Sequence, residues 1–414
     1  MVIIQTMYKR NIEDKITEAI KDTPVIFLNG PRQAGKSTLM AMLQKKHKPA
    51  SYVTFDDLAI LEAASQDPLT FLESASTKHL IIDEVQKLPD LFPAMKLLVD
   101  RDRRPGRFLL TGSANILLLP QIAESLAGRT EILTLYPLSV GELQGKKETF
   151  IERVFSGEFQ SENFEIDALC RLIHSGGFPE VIDRKNDARK KAWFRSYVDT
   201  ILKRDVQNLA KIEGLTKLPN LLSLIGTYAS GTIRYEDLSK SCQLPSTTLK
   251  RYLILLETFF LIHTLPAWSS NLGKRLVKAP KIYINDCGLL CYLLGLDLES
   301  VRPLTPDWGK LVETFVVNEV KKIATWSARP ANLYYYRTYS KEEVDLVVES
   351  DRREVVGIEV KATKKLKSSD FKAMHRLKES AGDRFKRGVI LYLGEQVLPF
   401  GPDMVAVPIS NLWL

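Results

Sequence analysis

The segment from Gly30 to Ser37 places the strongest constraint on how this chain folds. It reads Gly-Pro-Arg-Gln-Ala-Gly-Lys-Ser and fits the pattern GxxxxGK[ST] at every fixed position. A short apolar run (24–28) precedes it, and a helical pattern (38–45) follows it. Glycines let backbone N–H groups surround a phosphate, and the amino terminus of a helix adds a positive partial charge. The sequence therefore predicts a phosphate-binding loop between a strand and a helix.

The side chains of this loop have separate expected roles. Lys36 is expected to reach the β- and γ-phosphates, and the Ser37 hydroxyl is expected to ligate Mg²⁺. ATP and Mg²⁺ are therefore the predicted cofactors. The predicted nucleotide-binding residues are Gly30, Pro31, Arg32, Gln33, Ala34, Gly35, Lys36, Ser37 and Thr38.

Two carboxylates end the apolar run that begins at His79. We expect Asp83 to hold the Mg²⁺ sphere and Glu84 to polarise the attacking water as a catalytic residue. Many strands end in acidic residues, so the pair alone is weak evidence. The assignment depends on its position downstream of the phosphate loop, within the same alternating block.

Two further positions are candidates for the catalytic site. Ser113, with Thr111 as the alternative, ends the next apolar run and is predicted to face the γ-phosphate; the other interpretation is a simple turn. Arg129 is the candidate arginine finger, acting on its own chain or on a neighbouring subunit. The alternative for Arg129 is a surface arginine after a glycine turn.

Three compositional blocks follow one another along the 414 residues. In residues 1–145, apolar runs alternate with helical stretches, which indicates a parallel α/β sheet covered on both faces. We expect a helical lid at 146–213. We expect a winged-helix-like region with a linker at 214–300, in which one helix (Tyr235–Cys242) is followed by a second from Ser246 to about Ile262. This helix-turn-helix is expected either to contact DNA or to pack within the protein.

The block 301–414 brings acidic residues and a lysine together. Glu359 and Lys361 alternate along one predicted strand and so share a face, and a hairpin would bring Asp345 beside them. Glu313, on the preceding helix, would complete the set. Such a group can bind Mg²⁺ and position a water against a phosphodiester. The other interpretation is an ion-pair cluster on a domain that binds DNA or a protein without cleaving it.

Positive charge is concentrated near the end of the chain. The formal net charge is +8, and twelve basic but only five acidic residues lie between Arg352 and Arg387. We predict a basic helix from Lys361 to Arg387. Basic clusters attract polyanions such as DNA, although a solvated basic surface without a partner is equally consistent with the charge.

Composition excludes several classes of protein. With 45% hydrophobic and 26% charged residues, the chain is neither disordered, fibrous nor membrane-embedded, and no apolar run approaches the ~18 residues of a membrane span. No secretory signal is expected. Four cysteines without a CxxC pair indicate a reducing compartment, so the expected location is cytoplasmic.

The motifs and their order resemble a prokaryotic family of AAA+-type ATPases. In that family an ATPase core is followed by a helical winged-helix region and a C-terminal domain of unknown function. The resemblance covers essentially the whole chain and implies a protein that binds and hydrolyses ATP. The motifs are Gly30–Leu39, Asp83–Gln86, Leu110–Ser113, Ser125–Arg129, Tyr136–Ser139, Gly176–Glu180 and Lys203–Asp205.

The C-terminal order Glu, Asp, Glu-x-Lys resembles the PD-(D/E)XK restriction-endonuclease-like fold. That resemblance implies that Asp345 is the first acidic metal ligand and Glu359 the second. Lys361 would then orient or activate water, and Glu313 would be an accessory ligand. Many members of that fold carry Pro before the first Asp, whereas Val344 precedes Asp345 here.

Three functions fit these features. The leading one is an Mg²⁺-dependent ATPase that acts as a switch or motor on DNA through its winged-helix and basic C-terminal domains. The second is an ATP-regulated metal-dependent endonuclease. The third is a signalling ATPase with a protein partner and no nucleic-acid role. An Arg129 finger acting on a neighbouring subunit would require a homo-oligomer.

Overall fold

The computed structural model describes residues 7–47, 49–75, 77–115, 127–206, 215–275 and 278–414. They form two compact units, Met1–Leu138 with Leu256–Phe260, and Ser139–Leu255 with Leu261–Leu414. The predicted end of the ATPase core at residue 145 stays a prediction. The finer division of the remaining chain stays a prediction.

A five-stranded parallel sheet forms the centre of the first unit. Its strands are β1 (Val25–Asn29), β2 (Ala50–Thr54), β3 (His79–Asp83), β4 (Phe108–Gly112) and β5 (Thr130–Thr134). They are ordered β2-β3-β4-β1-β5, and every pair is parallel. Every residue of β1, β3 and β4 is buried, as expected of a parallel sheet covered on both faces. The α/β fold class predicted for this part of the chain is confirmed.

Helices cover the two faces of this sheet. They are α1 (Glu13–Ala19), α2 (Lys36–Lys46), α3 (Leu58–Gln66), α4 (Pro68–Glu73) and α5 (Leu91–Arg101). Successive residues of β1 point to opposite faces. Ile26 and Leu28 therefore join an apolar cluster with Leu39 of α2, while Phe27 joins a second cluster with Phe92 of α5.

The second unit begins with helices. These are α6 (Val140–Gln144), α7 (Phe150–Ser156), α8 (Ile166–Ser175), α9 (Pro179–Ile182), α10 (Asp187–Thr200), α11 (Leu218–Tyr228), α12 (Tyr235–Cys242) and α13 (Ser246–Thr258). The predicted helix Tyr235–Cys242 is confirmed with the same bounds. The second predicted helix begins at Ser246 as expected, but its predicted end near Ile262 was wrong. The chain leaves the helix after Thr258, Phe260 has a positive φ of 57°, and a strand begins at Ile262.

A small antiparallel sheet follows these helices. It consists of β6 (Ile262–Leu265) and β7 (Lys281–Ile284), with the short helix α14 (Leu272–Arg275) between them. An isolated bridge joins Thr232, just before α12, to Lys281. The order along the chain is therefore helix, bridge, two helices and two paired strands.

A six-stranded mixed sheet forms the C-terminal part of the second unit. Its strands are β8 (Ala331–Arg337), β9 (Glu343–Ser350), β10 (Val355–Lys361), β11 (Phe385–Tyr392), β12 (Leu398–Pro399) and β13 (Met404–Pro408). The order is β12-β13-β11-β10-β9-β8. The pairs β8–β9 and β9–β10 are antiparallel, whereas β10–β11 and β11–β13 are parallel. The predicted hairpin that carries Asp345 and Glu359 is thus present.

Helices α15 (Cys287–Leu293), α16 (Trp308–Ala324) and α17 (Lys372–Ala381) complete this unit. Helix α17 packs tightly on the sheet, because a Cβ at Gly357 or Gly388 would lie 2.3 Å from an atom of the Met374 side chain. The predicted basic helix from Lys361 to Arg387 was too long. Lys361 ends strand β10, and only Lys372–Ala381 forms the α-helix.

Candidate functional site

The phosphate loop has a backbone that only glycine allows at two positions. Gly30 and Gly35 have φ values of +147° and +97°, and Gln33 also has a positive φ of 63°. A Cβ at Gly30 would lie 2.1 Å from the carbonyl oxygen of Leu135. The loop therefore curls between the end of β1 and the start of α2 in a conformation that other residues would strain.

Lys36 lies buried over this loop. Its ammonium donates hydrogen bonds to the carbonyl oxygens of Gly30 and Pro31 at 2.9 and 2.8 Å. Burial lowers the pKa of Lys36 to about 8, and the nearby carboxylates of Glu84 and Asp83 oppose this effect. The ammonium is thus held at the loop by carbonyl groups that a phosphate could replace.

Asp83 lies at the end of β3, where two hydroxyl groups hold its carboxylate. The Tyr52 hydroxyl donates to Oδ2 at 2.7 Å, and the Thr111 hydroxyl donates to Oδ1. Burial, followed by the bond to Asp83, raises the pKa of Tyr52, whereas a side-chain hydrogen bond with Ser37 lowers it. Ser37 and Asp83 therefore share Tyr52 as a neighbour, and together they offer the hydroxyl and carboxylate oxygens that suit Mg²⁺.

Glu84 follows Asp83 in the left-handed backbone region, with φ 58°. Its N–H donates to Thr111 Oγ1 at 3.2 Å. Its carboxylate Oε2 accepts hydrogen bonds from the Gln86 amide and from the Ser113 hydroxyl, the latter at 3.2 Å. Gln86 also donates to Ser113 Oγ at 3.0 Å. Ser113 thus contacts the carboxylate of Glu84, whereas its sequence-based alternative Thr111 contacts the carboxylate of Asp83 and the backbone of Glu84.

A buried arginine outside the predicted set supports the loop. Arg10, before α1, donates one hydrogen bond to the carbonyl of Ala34 within the phosphate loop and one to the carbonyl of Tyr136, both at 2.7 Å. Sequence reasoning missed this residue because nothing in its neighbourhood marks it as different from a surface arginine. Tyr52 was missed for the same reason, while Gln86 stood inside a motif but had no assigned role.

Arg129 lies at the opposite edge of the sheet from the phosphate loop. Its backbone oxygen accepts a hydrogen bond from the N–H of Val25, where β1 begins, whereas the loop follows the other end of β1. Its guanidinium pairs with Asp100 at 2.6 and 2.8 Å. The interpretation of Arg129 as an arginine finger that acts on its own chain was therefore wrong, because the length of β1 separates Arg129 from the phosphate loop. The finger on a neighbouring subunit stays a prediction.

The acidic residues predicted in the C-terminal block do come together. Glu313 on α16, Asp345 on β9 and Glu359 on β10 gather around the buried Lys281, which sequence analysis missed. The Lys281 ammonium lies 2.8 Å from Glu313 Oε1 and 3.2 Å from Asp345 Oδ1. Lys361 pairs with Glu359 at 2.9 Å. The only signal for Lys281 was a lysine at the start of an apolar strand.

Burial and mutual repulsion alter the titration of this group. Burial, followed by the Asp345 charge, raises the pKa of Glu313 to about 7 and that of Glu359 to about 8. Burial acts to lower the pKa of Lys281, but the surrounding carboxylates raise it well above its usual value. Lys281 is therefore a charged ammonium at neutral pH. Within the described residues, no three His, Cys, Asp or Glu side chains form a group that could hold a metal ion.

Models of known protein families match three segments of the chain. An AAA domain matches residues 22–144, a domain of unknown function (DUF8612) matches 166–300, and a second domain of unknown function (DUF4143) matches 308–412. The phosphate loop and the carboxylates at the end of β3 lie within the first match. The fold and the site thus define an ATPase domain of the AAA, P-loop type.

Several curated relatives align with most of the chain. Uncharacterized proteins of Mycobacterium tuberculosis and Mycobacterium bovis are each 32% identical over 406 residues, which cover 98% of this chain and 84% of theirs. An uncharacterized protein of Methanocaldococcus jannaschii is 23% identical over 378 residues, covering 88% of this chain and 81% of its own. The chain belongs to the family of these mycobacterial proteins, with an AAA-type ATPase domain.

Two solved structures of ATP-binding proteins align with the chain at low similarity. The Walker-type ATPase of Pyrococcus abyssi aligns with a TM-score of 0.43 and 14% identity, over 70% of this chain and 97% of that one. AMPPCP-bound DnaA from Aquifex aeolicus aligns with a TM-score of 0.29 and 14% identity, over 59% of this chain and 86% of that one.

Among the helices that the structure describes, none is long and apolar enough to cross a membrane.

Proposed function

We propose that this protein is an Mg²⁺-dependent ATPase that acts as a switch or motor on DNA. The observation that carries the proposal is the meeting of Lys36, Asp83 and Glu84 at the carboxyl-terminal edge of the parallel sheet. The Coulombic interaction of the Lys36 ammonium with both carboxylates supports one common site. Phosphoryl transfer to water needs a cation that binds the phosphates, a metal ligand and a base that accepts the proton of the water molecule.

Binding of ATP exchanges the partners of Lys36. Its ammonium leaves the carbonyls of Gly30 and Pro31 and pairs with the β- and γ-phosphates, whose negative charge offsets the burial of the lysine. Ser37 and Asp83 would hold Mg²⁺, and Tyr52 orients the Asp83 carboxylate. When bound, Mg²⁺ neutralises charge on the phosphate oxygens.

Hydrolysis requires Glu84 to reach a water molecule. Its carboxylate is now bonded to Gln86 and Ser113, which hold it beside the end of β4. We propose that the γ-phosphate attracts the Ser113 hydroxyl and so releases Glu84 to accept a proton from the attacking water. Ser113 thereby couples the binding of the γ-phosphate to the release of Glu84.

The DNA contact is assigned first to the amino-terminal half of α13. The order of helices and strands from 218 to 284 supports a winged helix, in which the helix after the turn enters the major groove. The side chains of Ser246, Thr247, Lys250 and Arg251 are exposed there, and they suit phosphate and base-edge contacts.

The segment between β6 and β7 is not part of the proposed DNA surface. Trp268 is fully buried, and its backbone N–H donates to the Tyr335 carbonyl at 2.6 Å. Arg275 forms a bidentate pair with Glu349 at 2.6 and 2.9 Å. These contacts attach the segment to the C-terminal sheet, so they do not support a role for it as a wing that contacts DNA.

The basic C-terminal stretch offers a second, weaker contact. On α17, Lys372 pairs with Glu342 at 2.7 Å and Lys378 with Asp403 at 2.6 Å, so part of its charge is already neutralised. The exposed lysines before α17 are better suited to a DNA backbone. They are Lys365 and Lys367, whereas Lys364 pairs with Glu395 at 3.7 Å.

The test measures steady-state ATP turnover with Mg²⁺, with and without duplex and single-stranded DNA, near physiological salt. Lys36→Ala supplies the blank. We expect DNA to raise turnover several-fold and Lys250→Ala/Arg251→Ala to abolish that rise while keeping DNA-free turnover. Lys372→Ala/Lys378→Ala is the matched control, since it removes two lysines that are already paired.

Other results would redirect the proposal. If Lys365→Ala/Lys367→Ala removes the stimulation and Lys250→Ala/Arg251→Ala does not, the C-terminal loop is the main contact. Turnover indifferent to DNA, together with affinity that vanishes at physiological salt, would favour a signalling ATPase with a protein partner. The endonuclease alternative is not supported, because a lysine lies among the carboxylates that would hold its metal ion.

A further inference from the structure

We propose that Lys281 is the resident cation of the C-terminal acidic cluster and excludes a divalent metal ion from it. The acidic cluster consists of Glu313, Glu343, Asp345 and Glu359. In the fold that the sequence resembles, carboxylates of this kind hold Mg²⁺. Here they surround a lysine instead, and the resulting ion pairs hold two parts of the second unit together.

The geometry of the ammonium carries this inference. Lys281 is 1% exposed, and its Nζ lies 2.8 Å from Glu313 Oε1, 2.5 Å from Glu343 Oε1 and 3.2 Å from Asp345 Oδ1. An ammonium has three N–H donors, and three carboxylates from two elements surround this one. Mg²⁺ requires oxygens at about 2.0–2.1 Å in an octahedral arrangement. The same oxygens cannot serve both cations at once.

Other oxygens of the cluster are also engaged by the protein. The Tyr283 hydroxyl donates to Glu313 Oε1 at 2.8 Å, and the N–H of Val360 donates to Asp345 Oδ2 at 3.0 Å. Lys361 donates to Glu359 Oε1 at 2.9 Å. These oxygens are therefore held by donors of the chain itself, while Glu359 Oε2 is buried without a hydrogen-bond partner among the described residues.

The elements that meet here explain what the lysine does. Lys281 begins β7 of the small antiparallel sheet, whereas Glu343 and Asp345 lie on β9 of the C-terminal sheet. The ion pairs thus attach the small sheet to the large one. Arg275 and Glu349 make a second attachment between the same two regions, through one bidentate pair. This docking role is independent of the proposed ATPase cycle.

The experiment uses the full chain without nucleotide and MnCl₂ as the probe. Ser37→Ala is present in every sample, so that the phosphate loop contributes no metal site. Mn²⁺ binding is measured by electron paramagnetic resonance, and the melting temperature is measured with and without MnCl₂.

In the Ser37→Ala protein that retains Lys281, we expect no Mn²⁺ site that is lost when Asp345→Asn is added. Lys281→Met should lower the melting temperature by about 10 °C, because it leaves buried carboxylates without their cation. It should also create one Mn²⁺ site, which Lys281→Met/Asp345→Asn lacks, and MnCl₂ should restore at least half of the lost stability. Arg275→Met is the matched control: it breaks a buried pair nearby but should gain no Mn²⁺ site.

Two results would overturn the proposal. One is an Mn²⁺ site in the Lys281-containing protein that disappears in Asp345→Asn; the other is a folded Lys281→Met protein that gains no site. If Lys281→Met does not fold, the first comparison alone decides. Loss of ATP turnover in Lys36→Ala bears only on the ATPase proposal, so the two can fail separately.

Discussion

The Tyr52 hydroxyl donates a hydrogen bond to Asp83 Oδ2 at 2.7 Å, so one phenol from β2 holds the carboxylate assigned to Mg²⁺. Neither β2 nor Tyr52 belongs to the phosphate loop. The relationship means that the proposed metal ligand Asp83 is oriented by a neighbour from a different strand, as is common for metal-binding carboxylates.

Removing this phenol should weaken the use of Mg²⁺ more than the binding of ATP. We expect Tyr52→Phe to raise the Mg²⁺ concentration needed for half-maximal turnover by roughly 10–100-fold, because the Asp83 carboxylate loses an orienting donor. Turnover measured across an Mg²⁺ titration checks this. An unchanged Mg²⁺ requirement would show that Thr111 alone orients Asp83.

The pair formed by Glu84 and Gln86 leads to a second prediction. Glu84→Gln should keep ATP binding and lower turnover by at least ~100-fold, because an amide cannot accept the proton of the attacking water. Gln86→Ala should keep measurable turnover, since it removes only a hydrogen-bond donor that restrains Glu84. Fluorescent ATP-analogue binding and phosphate release distinguish binding from chemistry. Equal turnover in Glu84→Gln and the wild type would contradict the role of Glu84.

The lowered pKa of Lys36 predicts a pH-dependent cost in stability. Its pKa is about 8 in the folded protein and near 10.5 when exposed, so below pH 8 folding buries a charge that prefers water. Lys36→Met should therefore raise the free energy of unfolding at pH 7 by up to about 3 kcal/mol. Above pH 8 the folded lysine loses its proton, so the advantage should shrink by pH 10.

Urea unfolding of the nucleotide-free proteins at pH 7 and pH 10 measures this difference. Comparing Lys36→Met with the wild type at each pH cancels the titration of all other groups. A Lys36→Met protein that is less stable than the wild type at pH 7 would mean that the bonds to the Gly30 and Pro31 carbonyls outweigh the cost of burial.

Arg10 leads to a prediction about the shape of the loop. Arg10→Met removes the donors to the Ala34 and Tyr136 carbonyls while keeping much of the apolar stem. We expect the affinity for ATP to fall by about tenfold, because the loop is no longer fixed before the phosphates bind. The ratio of wild-type to variant affinity should stay similar with and without Mg²⁺, since the two carbonyls that Arg10 holds belong to neither of the proposed metal ligands. Nucleotide titrations of both proteins, with Mg²⁺ and with a chelator, measure this ratio.

The sequence predicted the parts of the site that lie within one continuous segment. The turn between β1 and α2 depends on neighbouring glycines, and Asp83 and Glu84 follow directly from the end of a buried strand. Tyr52, Arg10 and Lys281 contribute from distant positions, and their role depends on packing that no local pattern encodes. The hairpin at Asp345 and Glu359 was predictable because strand alternation fixes which side chains share a face.

The position of Arg129 shows a signal that the sequence did contain. Arg129 directly precedes β5, so in a parallel sheet it must lie at the amino-terminal edge, while the phosphate loop follows the end of β1. The charge near the C-terminus was misleading for a different reason. Partners of Lys372 and Lys378 come from other segments, so a count of basic residues overstates the exposed charge.

The last prediction concerns Arg129 and a neighbouring subunit. Since Arg129 is distant from its own phosphate loop, a catalytic role requires a second copy of the chain, and turnover per molecule should then rise with protein concentration. Arg129→Ala should remove that rise and leave the stability of the fold nearly unchanged, because its pair with Asp100 is exposed to solvent. Asp100→Ala is the control, since it breaks the same ion pair but leaves the guanidinium in place, and it should keep the rise. Turnover that is independent of concentration and equal in all three proteins would leave Arg129 as a surface residue without a catalytic role.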